Sequence, residues 1–447
     1  MKETKFKQTL VQTKEGSRHC EERSDVAIQS GFKMTEVGMI PHDWEVFLLS
    51  DLCSKIFSGK NKEKHEIGNY LVYGSTGVLG YSNKFAYDKP AILIARVGAN
   101  AGIINEVDGK YDVSDNTLIV YGISCCQHYI YEFLKFWNLN KLVFGSGQPL
   151  ITGGQLKKIE IPLPPTIEEQ QRIANALSDV DTLIANLEKL IAKKKNIKQG
   201  AMQQLLTGKK RLPGFGSDER QKECHSERSA KREVEESSGY KMTELGIIPN
   251  DWEVKTVSDV ADNFIGLTYS PENVRDYGTL VLRSSNIQND KIVYEDNVFV
   301  DMVIPERALA HDGDILVCVR NGSKALIGKS AILDIGNTRM AFGAFMTVLR
   351  AKRGIDNRYL LYAWQSNMIQ DQVQESLGAT INQITNADFK RFYLLTPSSI
   401  EEQTAIANVL SDMDTEIATL ETKLAKYRTL KTGMMQQLLT GKVRLNK

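Results

Sequence analysis

The sequence has no apolar run that approaches the ~20 residues a helix needs to cross a bilayer. Residues 1–30 are polar and charged and contain no apolar signal core, so we expect a cytoplasmic protein that does not associate with membranes. Neither sign of charge is in excess, because 56 lysines and arginines stand against 55 aspartates and glutamates. With a net charge of +1, the chain could bind nucleic acid only through local positive charge or with the help of a partner.

The sequence also lacks the residue spacings that are typical of metal sites and of common active sites. The six cysteines match neither a zinc framework nor a secreted disulfide scaffold. Phe144–Gly147 resembles the glycine motif of S-adenosylmethionine methyltransferases and Gly328–Ser330 the end of a phosphate-binding loop, but both lack the neighbouring sequence that these motifs require. We therefore predict a non-catalytic chain with no catalytic residues, no metal site and no cofactor of its own.

The chain does contain a partial internal repeat. Thr35–Val46 (TEVGMIPHDWEV) returns 208 positions later as Thr243–Val254 (TELGIIPNDWEV). A longer segment, Ile167–Leu212, returns without a gap 233 positions later as Ile400–Leu445. The stretches between these blocks barely agree. Such a duplicated unit predicts that the like segments perform one task twice, whereas the unlike segments perform two different tasks.

Each closing segment has the pattern of a long helix of about 40 residues. A capping-box spacing marks each start and a glycine each end, at Thr166, Glu169 and Gly208 and again at Ser399, Glu402 and Gly441. Between these positions, apolar residues recur at alternating steps of four and three, as in a coiled-coil seam. The seam residues are Ile173, Leu177, Val180, Ile184, Leu187 and Ile191, then Ile406, Leu410, Met413, Ile417, Leu420 and Leu424.

The order of segments predicts how the helices pair. If a pseudo-two-fold axis relates the halves, the two helices run antiparallel, and we expect Leu177 and Ile184 to face Met413 and Ile417 or their neighbours. In the unlike segments, short β-rich runs such as Ala91–Ala95 indicate strands. We also predict short helices at Tyr129–Trp137 and Arg358–Gln365.

The predicted fold class is α+β, with two mixed α/β heads separated by a long antiparallel two-helix coiled coil in a pseudo-two-fold internal repeat. The predicted boundaries are a poorly ordered N-terminal extension at 1–33, head 1 at 34–165, spacer helix 1 at 166–212, an inserted linker at 213–241, head 2 at 242–397 and spacer helix 2 at 398–447.

Turns in both heads are rich in side chains that suit contact with phosphates and base edges. In head 1 they are Lys60, Asn61, Lys62, Lys64, Ser75, Thr76, Arg96, Asn100, Ser146 and Gln148. In head 2 they are Arg283, Ser284, Ser285, Asn286, Arg320, Asn321, Ser323, Lys324, Thr380, Asn382 and Gln383. We interpret these clusters as candidate DNA contacts, with solvated turn residues as the alternative.

Four motifs together resemble a known family. These are the IPxDWEV openings, the IPLPP entry at Ile161–Pro165, the EEQxxIAxxLSDxDxxIAxLE helices that begin at Glu168 and Glu401, and the MQQLLTGKxRL endings at Met202 and Met435. The whole chain resembles a specificity subunit of a type I restriction-modification system. The N-terminal extension and the insert at about 213–240 depart from the pattern of the family.

The resemblance implies that the heads are target-recognition domains, each of which reads one half of a bipartite double-stranded DNA site. It also implies that the helices dock two methyltransferase subunits and that restriction/translocase subunits join them. S-adenosylmethionine, ATP and Mg are then expected on the partner subunits. Two alternatives stay open: a coiled-coil scaffold that binds protein without DNA, and the specificity protein of an orphan methylation system without a nuclease.

Overall fold

A computed structural model describes residues 31–61, 64–143, 150–216, 239–377 and 382–445. The chain divides into two compact units. Unit 1 comprises Met1–Glu188 and Thr422–Lys447, and unit 2 comprises Lys189–Glu421. Each unit therefore contains one head together with a part of each long helix.

Head 1 consists of eleven strands and two helices among its described residues. They are β1 (Phe32–Thr35), β2 (Gly38–Pro41), β3 (Glu45–Leu48), β4 (Cys53–Ser58), β5 (Tyr70–Gly74), β6 (Gly77–Ser82), β7 (Ala91–Ala95), β8 (Ile104–Val107), β9 (Tyr111–Val113), β10 (Thr117–Ile123), α1 (Gln127–Trp137), α2 (Gly153–Lys157) and β11 (Glu160–Leu163). The first long helix, α3 (Ile167–Leu205), follows.

Head 2 has more and shorter strands. They are β12 (Tyr240–Thr243), β13 (Gly246–Pro249), β14 (Trp252–Thr256), β15 (Ala261–Ile265), β16 (Val274–Arg275), β17 (Thr279–Leu282), β18 (Ile287–Gln288), β19 (Lys291–Ile292), β20 (Phe299–Val300), β21 (Ile315–Cys318), β22 (Ser330–Ile332), β23 (Met340–Phe342), β24 (Met346–Ala351) and β25 (Tyr393–Pro397). Its helices are α4 (Val257–Val260), α5 (Asn357–Gln365), α6 (Asn367–Ser376) and α7 (Asn386–Phe389), and the second long helix, α8 (Ile400–Leu438), follows.

The two heads share one sheet topology although their sequences differ. A four-stranded antiparallel sheet has the order β4-β10-β7-β8 in head 1 and β15-β24-β21-β22 in head 2. A second sheet in each head contains a parallel pair, β5 with β9 and β17 with β23. The predicted mixed α/β class is confirmed, and α1 and α5 lie where short helices were predicted.

The long helices begin and end where the sequence predicts. The hydroxyl oxygens of Thr166 and Ser399 accept hydrogen bonds from the N–H groups of the glutamates three residues on, each at 3.3 Å. The reciprocal half of the predicted capping box is replaced, because both glutamate side chains bind arginines instead. At the far ends, Gly208 and Gly441 both have φ +69°, the left-handed conformation that favours glycine.

Within each unit, segments of the two long helices lie side by side in opposite directions. In unit 1, Asp181 pairs with Lys431, and further along α3 Glu188 pairs with Arg428, which lies earlier in α8. In unit 2, Lys194, Lys195 and Lys198 pair with Glu416, Glu421 and Asp414, respectively. All twelve seam residues are buried or half-buried.

The predicted contact of Leu177 with Met413 is wrong. Leu177 lies in the buried cluster of unit 1 together with Leu438, whereas Met413 packs against the buried cluster of unit 2 together with Met202. The heptad pattern identifies the buried face of each helix, but it leaves the register of an antiparallel pair open. In each unit the structure fixes that register where a helix end packs on a head.

Candidate nucleic-acid interface

The repeated motif residues lie at the junctions between heads and helices. In unit 1, Arg444 binds Glu169 at 2.5 Å and 2.8 Å and also forms two hydrogen bonds with Asp43, at 2.8 Å and 2.9 Å. The hydrogen bonds from Arg444 hold the pKa of Asp43 below its ordinary value, against the opposing effect of burial. The carboxylate of Glu169 is nearly inaccessible, with 5% of its side chain exposed.

Unit 2 contains the same arrangement. Arg211 binds Glu402 at 2.8 Å and 2.5 Å and Asp251 at 2.9 Å and 2.8 Å. Trp252 donates from its indole N–H to Glu402 at 3.2 Å. The Asp-Trp, Glu-Gln and Arg-Leu motifs thus form the same junction in the two halves.

The glutamine of each Glu-Glu-Gln motif completes the junction. Gln170 donates to the carbonyl of Pro164 at 2.9 Å and accepts from the N–H of Cys126 at 3.0 Å. Gln403 makes the equivalent bonds, to the carbonyl of Pro397 and from the N–H of Asp356, both at 3.0 Å. Each side chain therefore connects the start of a long helix to the start of a head helix.

The predicted DNA contacts lie elsewhere, where several strands of a head end. In head 1, Asn61 follows β4 and forms a parallel bridge with Ser114, whose N–H donates to the carbonyl of Tyr73 in β5. Arg96 follows β7, and its N–H donates to the carbonyl of Asn116. The turn that joins β9 to β10 is therefore the point where the ends of β4, β5 and β7 meet. We call this region the strand-end turn.

Head 2 repeats the strand-end turn on the same framework. Leu267 forms the parallel bridge, to Gly343, whose N–H donates to the carbonyl of Leu282 at the end of β17. Val319 follows β21, and its N–H donates to the carbonyl of Phe345. These matching hydrogen bonds make Gly343 the counterpart of Ser114 and Phe345 the counterpart of Asn116.

Most predicted residues of head 1 surround this turn. Ser75 and Thr76 form the turn after β5, and Asn100 lies in the 3₁₀ turn after Arg96. Lys60 precedes Asn61 and is exposed, whereas Lys64 lies further away, beside Gly80 on β6. The amide of Asn61 donates to Asp112 at 2.7 Å. Three of the predicted residues in head 1 lie outside the described residues: Lys62, Ser146 and Gln148.

The predicted residues of head 2 form two runs that meet. Asn321, after β21, donates from its amide to the hydroxyl of Ser284, after β17, at 3.3 Å. Gln383 forms an antiparallel β-bridge with Arg320, and the side-chain amide of Asn382 donates to the carbonyl of Gly322 at 3.5 Å. Ser323 and Lys324 are exposed, Ser285 is half-buried, and Thr380 lies outside the described residues.

Two of the predicted residues of head 2 have side chains that bond to other groups of the same head. Asn286 is buried, and its side chain donates to the carbonyl of Val293 at 3.0 Å and accepts from the N–H of Arg283 at 2.9 Å. Asn286 therefore supports the turn from inside. Arg283 pairs with Asp296 at 2.8 Å. Arg320 is exposed, and its guanidinium carbon lies 5.3 Å from the centre of the Phe345 ring.

Sequence reasoning missed the residues of the strand-end turn itself. Asn116 is exposed, and Phe345 is 56% exposed although it is a large apolar residue in a tight turn. Asn116 directly precedes β10 and Phe345 directly precedes β24. An exposed aromatic side chain marks a candidate contact surface, but its exposure is seen only in the structure. No cluster of metal-ligating side chains and no helix fit to span a membrane occurs in the ranges that the structure describes.

Comparison with known proteins gives this geometry a context. Residues 41–199 and 249–426, most of the chain, match the model of a family described as the type I restriction modification DNA specificity domain. The chain belongs to this family. The resemblance that the sequence motifs indicated, to a type I specificity subunit, is thereby confirmed, and each half of the chain carries one such domain.

Relatives support the same assignment for this specificity subunit. The MjaVIII specificity subunit of Methanocaldococcus jannaschii is 25% identical over 93% of this chain and 97% of its own length. The EcoKI specificity subunit of Escherichia coli is 28% identical over 44% of each chain.

Solved structures share the fold of this specificity subunit. The specificity subunit from M. genitalium aligns with a TM-score of 0.54 and 15% identity over 91% of this chain and 97% of its own. A chain from a study of assembly and conformational transition of a type I restriction-modification system aligns with a TM-score of 0.50 and 15% identity, over 90% of this chain and 99% of its own.

Proposed function

We propose that this chain is the non-catalytic DNA-recognition subunit of a type I restriction-modification complex, and that each head reads one half of a bipartite double-stranded site. The observation that carries the proposal is the strand-end turn, where one backbone framework presents different side chains in the two heads. Asn116 and Phe345 occupy equivalent positions, yet one offers an amide and the other an aromatic ring. Different groups on one framework suit the reading of different base edges.

Local charge supports contact with the DNA backbone despite the balanced total. Lys60 is exposed beside the turn of head 1, and Arg320 and Lys324 are exposed at the turn of head 2. Such side chains suit contact with phosphates, which positions a protein on the duplex without reading its sequence. We propose that partner subunits supply the remaining positive charge.

The long helices serve as an antiparallel coiled-coil spacer in this proposal. Because α3 and α8 carry like sequences, they present like surfaces to two copies of one partner, the methyltransferase subunit. The methyltransferase subunits would carry S-adenosylmethionine, and restriction/translocase subunits would bring ATP and Mg to the complex. This chain then supplies specificity and leaves the chemistry to its partners.

Exchange of one head tests the proposal. Residues 34–165 are replaced by the first head of another family member, the complex is expressed in cells, and methylated motifs are mapped by long-read sequencing. We expect one half of the motif to change and the other to stay. The matched experiment replaces residues 242–397 and should change the opposite half. A change in both halves after either exchange would show that the heads are not independent readers.

Binding measurements separate this function from that of a protein-binding scaffold. The assembled complex is titrated with duplexes that carry its methylated motif, over a series of salt concentrations. A DNA reader should lose affinity steeply as salt rises, because each phosphate contact releases counterions. Equal and salt-independent binding to matched and scrambled duplexes would favour the scaffold.

A further inference from the structure

A polar contact joins head 2 to both long helices inside unit 2. Lys198 of α3 pairs with Asp414 of α8 at 2.6 Å, and 15% of the lysine side chain is exposed. The hydroxyl of Tyr362, from the head helix α5, donates to the other oxygen of Asp414 at 2.8 Å. The ammonium group of Lys198 also lies 5.3 Å from the centre of the Tyr362 ring. Three elements therefore meet around one carboxylate.

Unit 1 has the same pair of helix residues but a different contribution from its head. Asp181 of α3 pairs with Lys431 of α8. The head helix α1 contributes Glu132, whose buried carboxylate lies 3.4 Å from Lys431, and Lys135, which lies 3.2 Å from Glu132 and 3.3 Å from Asp181. The head thus adds a second carboxylate together with a second cation.

The positions correspond residue by residue. Asp414 and Lys431 lie 233 positions after Asp181 and Lys198, the same offset that relates the two long helices. The head helices align through Tyr129 and Tyr359, whose hydroxyls donate to the equivalent carbonyls of Pro162 and Leu395 at 2.7 Å and 2.8 Å. The alignment makes Glu132 the counterpart of Tyr362 and Lys135 the counterpart of Gln365.

Both arrangements are electrically neutral. In unit 2 one lysine and one aspartate balance, and the tyrosine adds a hydrogen bond without a charge. In unit 1 the buried Glu132 adds a negative charge, and Lys135 restores the balance. An unbalanced charge at a buried site is costly, because removal of one partner leaves the other without compensation. We therefore expect a glutamate at the position of the tyrosine to be tolerated when a lysine follows three residues later, and to destabilise the protein when that lysine is missing.

We propose that the Asp–Lys pair of the helices is a docking socket for exchangeable heads, which accepts a head helix that supplies either a tyrosine or a glutamate followed three residues later by a lysine. The socket residues are the same in both halves, whereas the head residues differ, so the socket restricts which residues a head helix can carry at these two positions. This rule does not depend on what the heads read, and it can be tested without DNA.

The first test exchanges the head 2 contribution in the full-length chain. Tyr362→Glu places a second carboxylate beside Asp414 with one lysine to balance both, and should lower the melting temperature by at least about 4 °C. Adding Gln365→Lys to it should recover at least half of that loss. Gln365→Lys alone is the control and should change the melting temperature little. Equal effects of Gln365→Lys with and without Tyr362→Glu would mean that the two positions are not coupled, and would overturn the proposal.

The reciprocal test uses unit 1 and covers the case in which the first variant does not fold. Lys135→Gln leaves one uncompensated carboxylate and should destabilise the chain. Glu132→Tyr combined with Lys135→Gln gives head 1 the tyrosine and glutamine that head 2 has at these positions, and should restore stability. Hydrogen exchange of the helix at 127–137 localises the effect: exchange should quicken in the single variant and slow again in the double. A double variant as unstable as the single one would overturn the proposal.

Discussion

Arg96 and Arg320 occupy neighbouring positions, and not equivalent ones, on the shared framework of the two heads. The N–H of Ile151 donates to the carbonyl of Arg96 at 2.8 Å, whereas the N–H of Ile384 donates to the carbonyl of Val319 at 2.8 Å. The backbone counterpart of Arg96 is therefore Val319. Successive side chains of an extended chain point to opposite sides, and Arg96 is indeed half-buried while Arg320 is exposed.

This difference predicts different effects of substitution at the two arginines. Arg320→Ala should weaken DNA binding by about 1–3 kcal/mol if the side chain reads a base, and should leave the melting temperature nearly unchanged because the side chain is exposed. Arg96→Ala should lower the melting temperature as well, because the side chain of Arg96 is half-buried and its removal loses packing contacts. Binding is measured by titration of the assembled complex with its duplex.

Arg353→Ala is the matched control for Arg320→Ala. Arg353 is an exposed arginine of the same head, next to Gly354, whose carbonyl accepts a hydrogen bond from Gln403 at the helix junction. Equal losses of affinity in the two variants would reduce the role of Arg320 to general charge. A loss that is uniform over all duplexes would assign Arg320 to a phosphate contact.

The sequence predicted the long helices well and the details of the heads poorly. Heptad spacing and the terminal glycines are local signals, so they locate α3 and α8 to within a few residues. In the sequence Arg96 and Arg320 each lie two positions before a glycine, yet they are offset by one residue on the shared backbone, and the loops after β7 and β21 differ in length. The glycines that correspond in structure are Gly102 and Gly328, with φ +94° and φ +85°.

The sequence could place the candidate DNA contacts only in approximate neighbourhoods. Asn61 and Arg96 lie far apart in sequence, and both bond to the strand-end turn because β4 and β7 end there, which depends on the order of strands in the sheet. The burial of Asn286 could not be predicted either, because the side chain of an asparagine in a turn can form hydrogen bonds with water or with the backbone. The register of the helices likewise depends on packing at their ends.

The junction in unit 1 predicts a large effect of Arg444→Ala. Because 5% of the Glu169 side chain is exposed, loss of the arginine leaves a buried carboxylate unpaired and should cost about 3 kcal/mol of unfolding free energy. Arg428→Ala, which breaks an exposed pair with Glu188, should cost less than about 1 kcal/mol. Similar losses in the two variants would contradict a special role for the junction. Urea denaturation followed by circular dichroism measures both.

The same junction predicts that the stability of the fold depends on pH in the acid range. Arg444 lowers the pKa of Asp43 in the folded state, so Asp43 contributes stability above its unfolded pKa of about 3.8, and this contribution is lost as pH falls through the lower folded value. In Arg444→Ala that pKa should return toward its ordinary value, and the decline in stability below pH 4 should become shallower. Melting temperatures recorded between pH 2 and pH 6 measure the slope, and parallel curves would contradict the prediction.

Two glycines near the end of α8 should respond to alanine in opposite directions. Gly441 has φ +69°, and a Cβ there would lie 2.4 Å from the ring of Pro41, so Gly441→Ala should destabilise the chain by roughly 1–3 kcal/mol. Gly433 lies within the helix with open space around it, and Gly433→Ala should stabilise by up to about 1 kcal/mol. Urea denaturation of both variants gives the signs, and a loss of stability in Gly433→Ala would show that the helix needs that glycine.

If the helix pair sets the distance between the half-sites, a longer pair should lengthen the gap without altering what the heads read. Duplication of residues 182–188 in α3 together with residues 425–431 in α8 adds one heptad to each helix and preserves the seam. Seven residues add about 10 Å of helix, which corresponds to roughly three base pairs at about 3.4 Å each. The helices should also rotate by only about 20°, so the heads stay close to their original orientation.

Mapping of methylated motifs before and after the change measures the gap. Duplication in α3 alone is the control, since it puts the helices out of register and should abolish methylation. Retained activity with an unchanged gap in the double insertion would show that the helices do not set the spacing.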